Sequence, residues 1–391
     1  MLKVLMICDV LSGHSGTTKF ALNIASGFID RGAQCKLLTL KKTSDALLLE
    51  KLFKSIDVEV CSSHFARSLS MMLQYPLIKF FESQAFNGED AINIFGALFL
   101  ARKLKKVIGE YDILIFINIY AAIPLLLSTS NSKSKFVLYF HEPPLFAEMP
   151  YIVRKLLVLY VKIVSSKCTL RISTSDKMRD SIKKNLQINT LSIPFAFSRK
   201  PHTTRKEDFI IADTRWTGQR DPFFLLEIAS RLPRMNFKMC GKFGNHEIEN
   251  RFLKLAEEMN VRDRIEMLHE LDEDVLDSLF RRAKCYVRWG TLGGETGTSF
   301  GVFQSISNGC IPIISDDLGS AEFIKKCIND DVVVKRDPSS FSAIINRLVE
   351  DDNYFLALLQ KVIKCRDNYA WSEYVENLMA HIFERARTSN S

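Results

Sequence analysis

Gly294-Glu295-Thr296-Gly297-Thr298-Ser299-Phe300-Gly301-Val302-Phe303-Gln304, running on through Gly309-Cys310 into Ile311-Pro312-Ile313-Ile314-Ser315, is the stretch on which the fold turns. It predicts a Gly/Thr/Ser-rich turn, one short helix over 300–308 and a buried strand over 311–315. Such a turn points backbone N–H groups outward at a helix N-terminus, where they and the helix dipole favour an anion. Thr298, Ser299, Phe300 and Gly301 are therefore candidate anion-binding positions, with Glu295 as the nearby carboxylate.

Outward from that stretch, short apolar runs alternate with helical patterns along the whole chain. Strands are predicted over 2–8, 35–40, 56–60, 112–117, 135–140 and 169–173, and again over 208–212, 236–240, 264–268, 284–288, 311–315 and 332–335. Most are continuous Val/Ile/Leu/Phe runs, the pattern of parallel strands covered by helices on both faces. Two such series imply two doubly wound, Rossmann-like α/β domains. A Pro/Ser/Thr/basic cluster from Pro194 to Lys206 marks the seam, giving domains over 1–194 and 195–370. A last helix over 371–391 follows the second series and is expected to pack back on the first domain.

The 391 residues are enough for two ordinary cores, and 47% hydrophobic with 25% charged residues describes a globular chain. A net charge of +8 suits an anionic partner, or is simply a basic solvated surface. The nine cysteines occur without any Cys-x-x-Cys pair, several inside apolar runs. They are expected to be reduced and buried, with no disulfide framework and no zinc site, as in a cytoplasmic protein. Asp272-Glu273-Asp274 reads as the capped start of a helix, and Asp316-Asp317 as turn chemistry rather than a metal pair.

In open α/β sheets ligands sit beyond the carboxyl ends of strands. The first such loop holds Gly13-His14-Ser15-Gly16 before a helix; Gly13 and Gly16 are candidate anion-loop glycines or ordinary turn residues. His141-Glu142-Pro143-Pro144 follows the strand over 135–140, where the prolines keep the chain extended. His141 is read as a structural strand-end residue or a functional one. Asp213-Thr214-Arg215-Trp216-Thr217-Gly218-Gln219-Arg220-Asp221-Pro222 joins a strand to a helix. Arg215 and Arg220, forked donors that never lose their charge, can converge across that turn on one diphosphate; an exposed basic turn is the plainer alternative.

Arg215-Trp216, the spacing to Arg220 and Pro222-Phe223-Phe224-Leu225-Leu226-Glu227 resemble the Arg-Trp-x-x-x-Lys-x-Pro motif of family-4-type retaining glycosyltransferases with the GT-B fold. Phe237 to Gly241, Arg264 to Leu268, Phe300 to Ser315, Gly319 to Glu322 and Tyr369 to Ser372 match further motifs of that family in order. The resemblance is dense over 209–382 and loose before it. It implies two Rossmann-like domains with an interdomain cleft, and transfer of a sugar from a UDP-, GDP- or ADP-sugar with retained anomeric configuration. It implies no cofactor and no metal, the nucleotide sugar being a co-substrate and a glycan or lipid-linked molecule the acceptor. By the same resemblance Arg215 and Arg220 would bind the diphosphate, His141 would contact the donor sugar, and Gly241 and Thr298 to Gly301 would line the donor site. The family has two glutamates eight residues apart; here Gln304 takes the second position, and Glu295 lies one residue from the first. That departure keeps open a catalytically weak relative acting as a nucleotide-sugar- or glycan-binding partner subunit.

The basic residues are dispersed and form no aromatic–basic module, so nucleic acid is not an expected partner. Two apolar stretches carry basic margins: Phe95 to Val107, and Pro150 to Val164 with Arg154, Lys155 and Lys162. Each reads either as a packed crossover helix with snorkelling bases or as a surface lying on the inner face of an anionic membrane.

Overall fold

The protein is described from a computed structural model, covering residues 1–11, 16–42, 56–60, 104–119, 121–127, 134–141, 151–269, 271–291 and 297–388. It divides into two compact units. One comprises Met1–Thr174, Arg179–Ile193 and Ser372–Ser391; the other comprises Pro194–Trp371 with Ser175–Met178.

The N-terminal unit is built on β1 (Lys3–Leu11), β2 (Gln34–Lys42), β3 (Asp57–Val60), β4 (Ile113–Phe116), β5 (Lys135–Phe140), β6 (Leu170–Ser173) and β7 (Leu191–Ser192). They form one sheet in the order β3-β2-β1-β4-β5-β6-β7. All neighbours run parallel. The second unit repeats this wiring with β8 (Glu207–Asp213), β9 (Asn236–Cys240), β10 (Ile265–Leu268), β11 (Ala283–Arg288), β12 (Ile311–Ser315) and β13 (Val333–Val334), ordered β10-β9-β8-β11-β12-β13. Continuous apolar runs become strands here because both faces are covered: all of β4, β11 and β12 is buried.

Helices cover the sheets: α1 (Gly16–Asp30), α2 (Tyr151–Ser166) and α3 (Asp176–Leu186) come first. After the seam follow α4 (Phe223–Ser230), α5 (His246–Glu258), α6 (Glu273–Arg282), α7 (Phe300–Ser307), α8 (Ala321–Cys327), α9 (Pro338–Glu350) and α10 (Asp352–Asn368). The last helix, α11 (Trp371–Thr388), packs on the first unit. Glu376 pairs with Arg31 at 2.7 Å, and the buried Tyr374 hydroxyl donates to that of Tyr139 at 3.1 Å. The chain enters and leaves the second unit side by side, Phe197 bridging to Ala370.

One expectation is corrected. Cys327 and Cys365 form a disulfide, with Cα atoms 5.3 Å apart and a sequence separation of 38. It joins the end of α8 to α10, two helices whose packing no local spacing reveals. Cys8, Cys35, Cys168, Cys240, Cys285 and Cys310 are buried and outside any disulfide, as expected.

Candidate active site

In each sheet the strand order reverses direction once, and crossovers leave opposite faces on either side of that point. In the second unit the reversal lies between β8 and β11, so the loop after β8 and the segment following β11 flank one crevice at the carboxyl edge.

The loop after β8 carries Arg215 and Arg220 and is anchored by the residue between them. Trp216 is 1% exposed; its Nε1 donates to the Cys240 carbonyl at 2.9 Å, and its own N–H donates to the Lys242 carbonyl at 2.9 Å. Its neighbour Arg215 is thereby left on the exposed side of the loop. Arg220 closes a short 3-10 turn (Gly218–Arg220) whose N-cap Thr217 accepts from the Arg220 N–H. Trp289, just beyond β11, donates from Nε1 to the Arg220 carbonyl at 2.9 Å. Trp216 thus anchors the loop beside Arg215, and the Trp289 indole holds the backbone of Arg220 itself.

Gly241 has φ +106, and a Cβ there would collide with the Thr214 carbonyl. Only glycine combines that backbone angle with so close an approach, which lets the β9 turn press against the arginine loop.

Across the crevice, α7 begins at Phe300 with Ser299 in the N-cap position and no side-chain cap of its own. Arg288, the last residue of β11 and 2% exposed, donates from Nε to Ser299 Oγ at 3.3 Å. Gly301 sits against the strand ends: a Cβ there would lie 2.6 Å from Tyr286 Oη and 3.5 Å from the Asp213 carbonyl. The helix N-terminus is therefore seated on the end of β8 itself, with Thr298 half-buried in the turn before it.

Gln304 faces away from that mouth. It is 4% exposed, and its Nε2 donates to Glu273 at 2.8 Å and Asp277 at 3.2 Å, both on α6. Asn308 donates to Asp277 at 2.7 Å, and Lys200 pairs with Asp277. Polar groups this buried are stable only when hydrogen-bonded, and here two amides and one ammonium serve two carboxylates.

In the N-terminal unit, Gly16 opens α1 and Phe20, one turn on, meets His141 edge-to-face at 4.6 Å. His141 also stacks on Tyr139, 5.9 Å between ring centroids. The residue is half-buried, but Nε2 has no solvent contact, and burial lowers its pKa to about 3. The ring is neutral at physiological pH, able to donate or accept a hydrogen bond and unable to carry charge. Gly13, Glu142 and Glu295 lie outside the described residues.

Four residues absent from the sequence-level site help to build it. Tyr286 and Arg288 sit in a strand that reads only as core. Arg336 bonds Asp221 at 2.8 Å and the Thr291 carbonyl at 3.2 Å, tying the loops on the two sides of the reversal point. Asp317 accepts from the Gly290 N–H at 3.2 Å and from Ser315, fixing the start of the segment after β11. An arginine ending an apolar run, as Arg288 does, was the one signal available in advance.

Residues 195–364 match the family model of glycosyl transferases group 1. Structures similar to the whole chain include HepE of Anabaena in complex with UDP and glucose, at 12% identity and a TM-score of 0.70, covering 98% of this chain and 100% of that one. A TarM mutant from S. aureus, in complex with fondaparinux, alpha-GlcNAc-glycerol and UDP, has 12% identity and a TM-score of 0.72 over the same shares. Sucrose-phosphate synthase from Thermosynechococcus elongatus has 11% identity and a TM-score of 0.71, covering 100% of both chains. At such identities the likeness is one of fold, and the fold is GT-B. No curated protein sequence matches this chain.

Proposed function

We propose that this chain, a GT-B protein whose residues 195–364 form a group 1 glycosyl transferase unit, moves a sugar from a nucleoside-diphosphate sugar to a glycan or lipid-linked acceptor with retention and without a metal. The observation carrying the proposal is the seating of Gly301 on Tyr286 and the end of β8, which brings a helix N-terminus to the same strand edge as the arginine loop. Fixed guanidinium groups and a helix N-terminus are the groups that stabilise a departing diphosphate without reorganising. Arg215 and Arg220 would bind the diphosphate, and the backbone from Thr298 to Gly301 would hold phosphate and sugar. Gly241 would keep the β9 turn close. His141 enters as a neutral hydrogen-bonding partner of the transferred sugar, and Glu295 as the carboxylate near it.

In the proposed step, the acceptor hydroxyl attacks the anomeric carbon on the face that the diphosphate leaves. The bond from that carbon to the phosphate oxygen breaks, and a phosphate oxygen of the leaving group takes the hydroxyl proton. Two fold neighbours were solved with UDP, which makes uridine diphosphate sugars the first donors to try.

The test is a panel of UDP-, GDP- and ADP-sugars, reading nucleoside diphosphate release in EDTA and product configuration by proton NMR. Release that persists in EDTA and yields a retained anomer supports the proposal; inversion, or activity restored only by a divalent cation, rejects the corresponding part. A second reading, a partner subunit that binds nucleotide sugar without turning it over, is favoured by one observation. Gln304 is held by two carboxylates on α6 rather than presenting a carboxylate of its own. Thermal stabilisation by a nucleotide sugar with no release over hours would select it.

A further inference from the structure

Helix α2 buries one side and exposes the other. Val161, Val164 and Ser165 are buried, and the Tyr160 hydroxyl donates to the Ile119 carbonyl. On the opposite side Leu156 is 61% exposed, Leu159 55%, Ile163 39% and Tyr151 60%. Leu156, Leu159 and Ile163 recur at i, i+3 and i+7, so they form one stripe. Elsewhere the exposed large apolar side chains of the described residues are scattered, as on any soluble surface: Val275, Leu356 and Phe383 lie on three different helices. Among the described residues, α2 alone gathers them.

The charges beside the stripe all have one sign. Lys155, Leu159 and Lys162 follow one another at i, i+4 and i+7; Arg154 stands at the margin, and the helix has no acidic residue. Lys155 lies over the Tyr151 ring, 4.4 Å from its centroid. At one end Lys167 donates to the Leu125 carbonyl at 2.7 Å, next to Leu126, which is 39% exposed. No helix among the described residues is long and apolar enough to cross a bilayer. The cores of protein–protein interfaces are depleted in lysine. A stripe of leucines with lysines immediately alongside fits instead a headgroup layer, where aliphatic stems follow the apolar surface and ammonium groups reach lipid phosphates.

We propose that the face of α2 bearing Tyr151, Leu156, Leu159 and Ile163 docks on a bilayer rich in anionic lipid, lying in the plane of its headgroups with Arg154, Lys155 and Lys162 as the charge contacts. The surface is independent of the donor chemistry: vesicle binding needs no nucleotide sugar, so it can fail while glycosyl transfer stands, and the reverse.

Sedimentation of the full chain with vesicles of phosphatidylcholine, or of phosphatidylcholine and phosphatidylglycerol at 3:1, tests it. The expected result is binding to the anionic vesicles, little to the neutral ones, and release as salt rises. Lys155→Ala with Lys162→Ala should weaken binding on the order of 25-fold. Leu156→Ser with Leu159→Ser should weaken it at least roughly tenfold. Lys183→Ala with Lys184→Ala, on the exposed end of α3, should change it little. Melting curves of each variant show that the fold is kept, and the lipid and salt dependence of the unaltered chain tests the idea without any substitution. Absence of binding to anionic vesicles overturns the proposal. So does equal binding to both vesicle types, an equal loss from the α3 pair, or concentration-dependent self-association through these leucines with no vesicle binding.

Discussion

At the reversal point of the N-terminal sheet the neighbouring strand β5 ends in rings, Tyr139 and His141 packed on Phe20, and burial holds both of these titratable side chains neutral. At the matching edge of the second sheet the strands end in Arg288 and in a loop with Arg215 and Arg220, anchored by two tryptophans. The wiring of the two sheets is the same, so topology does not decide which edge takes an anion. On the proposed reading, the deciding difference is whether cations at that edge are supported by backbone held from below. Aromatic residues serve both edges, but in the second they fix a charged loop and in the first they exclude charge.

The strongest way to break this comparison is to remove the cations. Arg215→Ala combined with Arg220→Ala should lower kcat/KM by on the order of 1000-fold or more, with Lys replacements recovering part of it. An unchanged rate of diphosphate release would show that the second edge is no more an anion site than the first. Next comes the support beneath the loop. Gly241→Ala places a methyl group against the Thr214 carbonyl at a positive φ, and should cost about 2–4 kcal/mol in a denaturant titration, with activity falling alongside. Retained stability with normal activity would mean the arginine loop does not depend on that contact.

A smaller effect tests the seating of α7. Gly301→Ala brings a Cβ within 2.6 Å of Tyr286 Oη, in a site where Tyr286 is fully buried. It should cost roughly 1–3 kcal/mol and at least tenfold in turnover; pairing it with Tyr286→Phe should restore much of both. Failure of the second change to rescue the first would place the fault elsewhere than in that clash.

The N-terminal edge is tested through pH, where the change over any single pH unit is the smallest of these effects. The folded pKa of His141, about 3, lies below its ordinary 6.5, so as pH falls the unfolded chain takes up the proton first. The stability this contributes is complete above 6.5 and is lost between 6.5 and 3, at roughly 1 kcal/mol per pH unit. His141→Gln should flatten the acid limb of a stability–pH curve, and the pH–rate profile should carry no step from His141 near neutrality. A histidine NMR titration with a midpoint near 6.5 at this ring would contradict both.

Much of the fold was legible because buried parallel strands are written as unbroken apolar runs. Residues 208–212 become β8 (Glu207–Asp213), and 311–315 become β12 (Ile311–Ser315), within a residue or so at each end. β7 was not legible: two residues, Leu191 and Ser192, carry no periodicity, and they are a strand only because β6 lies beside them. The loop bearing Arg215 and Arg220 could be found from residue type and position. Arg336 could not, since its role is to join two loops, at Asp221 and Thr291, far from it in sequence. The disulfide between Cys327 and Cys365 escaped for the same reason: it belongs to helix packing, not to local spacing.

The α6–α7 contact also constrains what can stand at position 304. Had that residue been glutamate, three carboxylates would crowd around the single ammonium of Lys200, each within reach of another. The amide is thus the neutral half of a matched set, and residues 273, 277 and 304 are electrostatically coupled. An engineer wishing to install an acid on α7 must first take one away from α6.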